Sequence, residues 1–309
     1  MSEPEHKRGA SPLLTAALPQ LDPQLSVADV LRMALVDPLR ALRHNLVHAG
    51  PQEPEFVHQA RVSMRRLRTS VRAFRAMPEV RPWRDDLLVL EASLRALNQV
   101  LGEARDADIF QGVTLDTLRV GIGPDLLPTL AAVATRAEER RVAAYAAMAA
   151  LPEKSGDGPV FLLAERLMGE LSSAALAGTR QAMTDVAKAQ LRKAHARVMR
   201  AARHLERLGA PQRHRLRIAV KRLRYLTDVW ASLWPQSRSR RYLTQLEKLQ
   251  QALGALNDAA VAGQTLRQLN AGAALRAVWR AHEKRLIARE MPRVARRLAA
   301  LEHSPAPWR

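Results

Sequence analysis

The chain has 309 residues, of which 49 are Lys or Arg and 30 are Asp or Glu, so its formal charge is +19. Hydrophobic residues make up 47%, too many for an intrinsically disordered chain, and aromatic residues make up only 4%, which disfavours a large β-protein. Cysteine is absent, which excludes disulfides, thiolate nucleophiles and Cys-ligated zinc and is consistent with a reducing compartment. The high content of Ala, Leu, Arg and Glu predicts an all-α protein.

The N-terminal residues lack the apolar centre of a signal peptide, and no run of about 18 apolar residues could span a membrane. We therefore expect a soluble, cytoplasmic protein. Its charge repels itself unless a polyanion or counterions offset it. The candidate partners at this point are nucleic acid, an anionic membrane surface and inorganic polyphosphate.

In chain order, the proline-rich residues 1–25 predict a flexible arm, and Ser26 is the predicted N-cap of the first helix. Gly102 is predicted to interrupt the third helix, and the segment PEKSGDGP at 152–159 is predicted to be a linker. Apolar periodicity predicts helices at about residues 27–48, 55–77, 83–101, 105–118, 124–150, 160–177, 180–208, 211–234, 237–253, 257–270 and 272–301.

Two segments of the sequence resemble each other. HQARVSMRRLR at 58–68 matches HRLRIAVKRLR at 214–224, and an aromatic residue follows each, Phe74 and Trp230. Further along, LGEARDAD at 101–108 matches LGALNDAA at 253–260. Two matching blocks in the same order predict an internal repeat of a helical unit of roughly 150 residues.

On a helix, the first of these segments forms a cationic stripe beside an apolar face. The stripe lies within one arc of the helix circumference and is about 26 Å long along the axis. Its members are His58, Arg61, Arg65, Arg68, Arg72 and Arg75. No acid lies between Glu55 and Glu79 to neutralise this stripe. In the second segment His214, Arg217, Lys221 and Arg224 share an arc, and Asp228 occupies the place of Arg72. Like charges at these spacings destabilise a helix, so two such stripes favour a bound polyanion over a merely solvated surface.

Three matched pairs of residues leave alternatives open. The histidines of the two segments, His58 and His214, either begin their helices or add a hydrogen-bond donor that gains charge beside a polyanion. The glycines are helix C-caps or close-packing positions, and the aspartates are N-caps or partners that orient a basic side chain. These pairs are His58 with His214, Gly102 with Gly254, and Asp106 with Asp258. A metal site at Glu103, Asp106 and Asp108 is disfavoured because the second segment lacks the matching acids, and no cofactor is expected.

Further basic residues on the preceding helices either extend the stripes or are simply solvated. They are Arg40, Arg43 and His44 in the first half, and Arg192, Arg200, Arg203 and Arg207 in the second.

These repeated blocks resemble the CHAD family, the conserved histidine α-helical domain, whose polyphosphate-binding members are also called phosins. The resemblance covers about residues 26–303. It implies two pseudo-symmetric four-helix bundles, at 26–177 and 178–303, with basic helices lining a central channel or groove and a tail at 304–309. It also implies binding of inorganic polyphosphate, often at intracellular granules in bacteria. The sequence departs from the family pattern at Asn257, where the first repeat has Arg105.

The stripes and the resemblance together predict a non-enzymatic, polyphosphate-binding protein. The predicted binding residues are His58, Arg61, Arg65, Arg66, Arg68, Arg72, His214, Arg217, Lys221, Arg222, Arg224 and Tyr225, with Arg40, Arg43, Arg200 and Arg203 as outlying members. Two alternatives remain: non-specific nucleic-acid binding, and a polyphosphate-processing enzyme that uses a phosphorylated His58 or His214. The enzyme is disfavoured because the sequence has no GxxxxGK loop and no acid cluster common to both halves.

Overall fold

The computed structural model describes residues 12–22, 24–174 and 183–308. Within these ranges there is no β-strand, and the prediction of an all-α protein is confirmed. The α-helices are α1 (Val27–His48), α2 (Pro54–Phe74), α3 (Arg84–Ile109), α4 (Leu115–Gly121), α5 (Leu127–Ala149), α6 (Pro159–Ala174), α7 (Met183–Ala201), α8 (Ala210–Trp230), α9 (Gln236–Gln268) and α10 (Ala273–His303). Throughout the part of the chain covered by the structure, no helix is both long enough and apolar enough to cross a membrane.

Most helix boundaries agree with the sequence, and two predicted interruptions are wrong. Ser26 is the N-cap of α1, and its hydroxyl accepts a hydrogen bond of 3.1 Å from the backbone of Asp29. Gly102, however, lies inside α3, and α9 continues through Gly254 where two helices were predicted. A glycine inside a helix costs about 1 kcal/mol relative to alanine, and the packing of these long helices outweighs that cost.

The two helices that carry the basic segments lie at the centre of the fold. The first, α2, packs between α1 and α3, and α8 packs between α7 and α9. The two groups of helices meet where α2 packs against α8. Phe74 and Trp230, the aromatic residues that follow the two basic segments, are fully buried and lie against each other with ring centroids 5.2 Å apart. These two residues, which occupy matching places in the repeated segments, are therefore neighbours.

The hydrophobic core has a larger and a smaller part, and neither follows the predicted halves of the chain. The larger part joins buried side chains of α1, α2 and α3 to those of α7, α8 and the first part of α9. The smaller part joins α4 and α5 to the second part of α9 and to α10. Both parts of the core contain side chains from both halves of the chain, so each half buries apolar side chains of the other. The internal repeat and the two separate bundles stay predictions.

The ends of the chain make defined contacts. In the predicted arm, the side-chain amide of Asn45 binds both the backbone N–H and the carbonyl of Leu14. Leu21 donates through its N–H to the Ser232 hydroxyl, 3.0 Å away. In the predicted tail, Trp308 is only 4% exposed. Residues 1–11 of the arm and the predicted boundary at 177/178 lie outside the described residues.

Candidate functional site

The basic residues of α2 and α8 come together along the line where these helices meet. Arg61 and Arg65 of α2 act electrostatically on Arg217 and Lys221 of α8. We call these four residues the groove cluster. The helices run in the same direction, because Arg61 neighbours Arg217 at one end and Phe74 contacts Trp230 at the other. The structure therefore brings together the two stripes that the sequence predicts separately.

The groove cluster carries more positive charge than its surroundings neutralise. Burial, followed by repulsion from Arg65 and Arg217, lowers the pKa of Lys221 to about 6. Burial and the charge of Arg65 likewise lower the pKa of Arg61 to about 10. The Nε atoms of Arg61 and Arg217 are buried and have no hydrogen-bond partner among the residues that the structure describes. The free protein holds these cations at an electrostatic cost that an anion between them would relieve.

Two carboxylates, Asp106 of α3 and Asp258 of α9, lie at one end of the groove cluster. Asp258 Oδ1 is 3.8 Å from a terminal nitrogen of Arg217. Surrounding protein raises the pKa of Asp106 and the nearby charge of Asp258 adds to the rise, while Arg61 opposes it. The Asp106 side chain nevertheless stays exposed to solvent. Both residues lie inside helices, so the N-cap alternative is wrong, and the orienting role stays a prediction.

At the other end of the groove, an acid from a different helix neutralises part of the α2 stripe. Glu91 of α3 is 2% exposed and forms ion pairs with Arg72, Arg75 and Arg95. Burial alone would raise the pKa of Glu91, but the hydrogen bond and charge of Arg72 and the charge of Arg75 lower it. The expectation of an un-neutralised stripe is therefore wrong for Arg72 and Arg75. Arg68 and Arg222 lie close to this ion-pair cluster.

The two histidines have different surroundings. Burial lowers the pKa of His58, and the charges of Arg105 and Arg65 lower it further against the opposing effect of Glu55. His214 is exposed, and its Nδ1 lies 2.6 Å from the side-chain oxygen of Asn257. The residue that departs from the family pattern therefore holds a histidine. With Nδ1 donating to Asn257, the Nε2 atom of His214 is the nitrogen left to meet a ligand.

Three predicted site residues on these helices point elsewhere. Arg66 donates a hydrogen bond to the carbonyl of Ala16 in the N-terminal segment. Arg224 turns toward α9, where it lies 3.4 Å from the side-chain oxygen of Gln250. Tyr225 is 3% exposed and belongs to the interior. Helical spacing already places Arg66 outside the α2 stripe, but it does not separate Arg224, which shares the arc of Arg217 and Lys221.

The outlying basic residues do not join the groove cluster. Arg43 binds Glu165 at 2.5 Å, and its guanidinium group lies over the ring of Phe161 in α6. Arg40 is strongly exposed and lies 3.4 Å from Asp37 of its own helix. Arg200 and Arg203 are exposed near the end of α7. These positions are those of solvated or locally paired side chains.

The structure adds basic residues that the sequence did not single out as ligands. Arg105 acts on His58 and Arg61, Arg140 of α5 acts on Asp106, and Arg197 of α7 acts on Arg222. Of these three residues, only Arg105 could have been found from the sequence, because it lies beside Asp106 in the repeated block. Across the described ranges, no group of three or more His, Asp or Glu side chains is arranged to hold a metal ion.

Comparison with known proteins identifies the family. The model of the CHAD domain family matches residues 33–267, which include both basic segments and both Asp residues of the groove. The chain belongs to the CHAD domain family. No curated protein matches it.

Two solved structures resemble this CHAD protein. The crystal structure of the CHAD domain from the plant Ricinus communis is 27% identical, with a TM-score of 0.74, and the match covers 96% of this chain and 99% of that one. PptA from Streptomyces chartreusis is 16% identical, with a TM-score of 0.56, and the match covers 90% of this chain and 97% of that one. The second likeness shows the fold alone.

Proposed function

We propose that this CHAD protein binds linear inorganic polyphosphate, without catalysing its turnover, along the groove between α2 and α8. The observation that carries the proposal is the groove cluster: four basic side chains from two helices lie together, and burial with the charges of Arg65 and Arg217 brings the pKa of Lys221 down to about 6. A polyanion in the groove would restore the charge of Lys221 and supply partners for the buried Nε atoms of Arg61 and Arg217.

The shape of the cationic surface favours a linear ligand. Basic side chains follow both helices from Arg61 and Arg217 to Arg68 and Arg222, which corresponds to about 10 Å of helix. A row of guanidinium groups pairs with consecutive phosphates of a chain, whereas a single small anion would occupy only part of it. Association with polyphosphate granules in the cytoplasm would follow from such binding.

The aromatic residues around the groove favour polyphosphate over nucleic acid. Single-stranded nucleic acids are held partly by stacking of bases on exposed aromatic rings. Phe74 and Trp230 are fully buried, and Tyr225 is 3% exposed. None of the three offers a free ring face. Recognition would therefore rest on phosphates alone, and polyphosphate presents them at higher density than RNA or DNA.

The test compares a groove variant with a charge-matched control. The groove variant carries Arg61→Gln, Arg65→Gln and Lys221→Gln, and the control carries Arg285→Gln, Arg296→Gln and Arg297→Gln on α10. Binding of long-chain polyphosphate and of single-stranded RNA is measured at equal phosphate concentration and at several salt concentrations. We expect the wild type and the control to prefer polyphosphate, with affinity that falls steeply with salt, and the groove variant to lose most of that affinity.

Two results would overturn the proposal. Equal losses of affinity in the groove variant and in the control would show that binding depends only on net charge. A preference for RNA would favour the nucleic-acid alternative. Orthophosphate release from polyphosphate with Mg²⁺ or Mn²⁺ tests catalysis separately. Release that disappears in His58→Ala or His214→Ala would show an enzyme.

A further inference from the structure

A second basic site lies between α9 and α10, away from the groove. It is a pocket of about 60 Å³ lined by Gly263 and Arg267 of α9 and by Arg276, Trp279, Arg280 and Glu283 of α10. Arg267 is nine residues beyond Asp258, which at 100° per residue places it on the opposite side of α9. The pocket and the groove therefore lie on opposite faces of the same helix.

The walls of the pocket are closely fitted. The Nε1 of Trp279 donates a hydrogen bond of 2.9 Å to the carbonyl of Ala259, which anchors the indole on α9. The ring of His282 stacks on that indole, with centroids 4.9 Å apart. A Cβ atom on Gly263 would lie 3.3 Å from Trp279 Cδ1, so only glycine lets the two helices approach this closely without a displacement. The shape of the pocket therefore follows from the close packing of α9 against α10 at Gly263 and Trp279.

The arginines of the pocket lack internal partners. Among the residues that the structure describes, no carboxylate lies within ion-pairing distance of Arg267, Arg276 or Arg280. The Nε atom of Arg276 is buried and has no hydrogen-bond partner there either. Glu283 is the one acid of the lining, so the three guanidinium groups leave a net positive charge. Arg267 and Arg280 are exposed to water, and an anion in the pocket would give all three guanidinium groups the charged partner that the described residues do not supply.

We propose that this pocket binds one phosphate group, held by Arg267, Arg276 and Arg280 against the wall formed by Trp279. Three planar donors of two N–H groups each suit the four oxygens of a tetrahedral dianion better than the two oxygens of a carboxylate. Because the pocket is small, about 60 Å³, we expect it to take one phosphate group rather than several consecutive phosphates of a chain. The site takes free orthophosphate or the terminal phosphate of a chain, and it is independent of the groove.

The experiment uses the groove variant with Arg61→Gln, Arg65→Gln and Lys221→Gln as its background, so that the groove contributes little. Inorganic phosphate is titrated into this protein and followed by calorimetry. We expect binding in the millimolar range or tighter, weakened at least about tenfold when Arg276→Gln and Arg280→Gln are added. The matched control adds Arg296→Gln and Arg297→Gln to the same helix and should bind phosphate as the background does.

A second variant guards against a folding defect. Arg267→Gln changes an exposed side chain near the end of α9, so we expect unchanged helicity and weaker phosphate binding. Competition by tripolyphosphate distinguishes free orthophosphate from a chain end as the ligand. If equimolar tripolyphosphate displaces the bound orthophosphate, the site binds chain ends. If it does not, the site binds orthophosphate. The proposal is overturned if the background binds no phosphate, or if the pocket variants bind it unchanged. Because the groove proposal is tested by polyphosphate retention with an intact pocket, the two can fail separately.

Discussion

The Nη1 atom of Arg61 lies 2.7 Å from the point that a Cβ atom of Gly102 would occupy, and it donates a hydrogen bond of 3.2 Å to the carbonyl of Asn98. The glycine of the first LGxxxD block is therefore a close-packing position, where the guanidinium group of the α2 stripe rests on the backbone of α3. The corresponding glycine, Gly254, has no atom within 4 Å of its would-be Cβ. The two glycines occur in matching motifs and have different surroundings.

This difference leads to a paired experiment on the two glycines. In Gly102→Ala the new methyl group displaces the Arg61 side chain, so we expect weaker polyphosphate binding. In Gly254→Ala the methyl group meets open space and improves helix propensity, so we expect unchanged binding and a rise of roughly 0.5–1 kcal/mol in the free energy of unfolding. Calorimetric titration and urea denaturation measure the two effects. Equal binding by both variants would show that Arg61 is not positioned by Gly102.

Binding should take up protons near neutral pH. Lys221 has a pKa of about 6 in the free protein and is mostly neutral at pH 7.5, and a bound polyanion raises that pKa. The affinity for polyphosphate should therefore fall as pH rises from 6 to 8, by up to about tenfold per unit for one proton. Titration calorimetry in buffers of different ionisation enthalpy measures the uptake directly.

The matched variant for this proton uptake is Lys221→Arg, which keeps the positive charge and does not titrate in this range. We expect its affinity to depend less on pH, with a remainder from His58, whose pKa is also lowered by burial. If Lys221→Arg takes up as many protons as the wild type, the protons go elsewhere and the role of Lys221 is wrong.

Asp228 should destabilise the fold above its own pKa. It is 6% exposed, its Oδ2 atom has no hydrogen-bond partner among the residues that the structure places, and burial raises its pKa to about 6. A raised pKa means that the folded state binds more protons between about pH 4 and 6, so this residue lowers the free energy of unfolding as pH rises through that window. Above it, we expect Asp228→Asn to be more stable than the wild type by about 2 kcal/mol.

Denaturation curves from pH 4 to 8 measure this difference. It should grow between pH 4 and 6 and then level off. Asp125→Asn, at an exposed position, is the control and should show no such dependence. A difference that stays constant over the whole range would place the ionisation of Asp228 in another window.

Lys154 should stabilise the end of α1. Its Nζ donates to the carbonyls of Leu46 and Val47 at 2.8 Å each, and also to the carbonyl of Ala49. The carbonyls at the end of a helix lack the regular intrahelical partner, although that of Leu46 also accepts from the N–H of Ala49 at 3.2 Å, and a cation at a helix C-terminus is favourable. We expect Lys154→Met to lose about 2 kcal/mol of stability and to bind polyphosphate as before. Exposed Lys248→Met is the control, and an unchanged melting temperature in Lys154→Met would contradict the assignment.

Local sequence patterns predict much of the fold. The N-cap Ser26, the all-α class and most helix boundaries follow from side-chain chemistry and periodicity within one helix. The two wrong interruptions, at Gly102 and near Gly254, show where this reasoning ends. Both helices continue because residues on either side of each glycine are buried in the core, and that burial depends on residues far away in sequence.

The candidate site shows the same division. The sequence by itself determined which residues share a basic face, because a helix has a fixed angle of 100° per residue. Only the tertiary structure decided which cations stay without a neutralising partner. Glu91 reaches Arg72 and Arg75 from α3, whereas Arg61 and Lys221 meet mainly other cations across the line where α2 and α8 pack. The charged residues and their spacing follow from the sequence, but their neutralisation depends on distances between helices. Packing sets those distances.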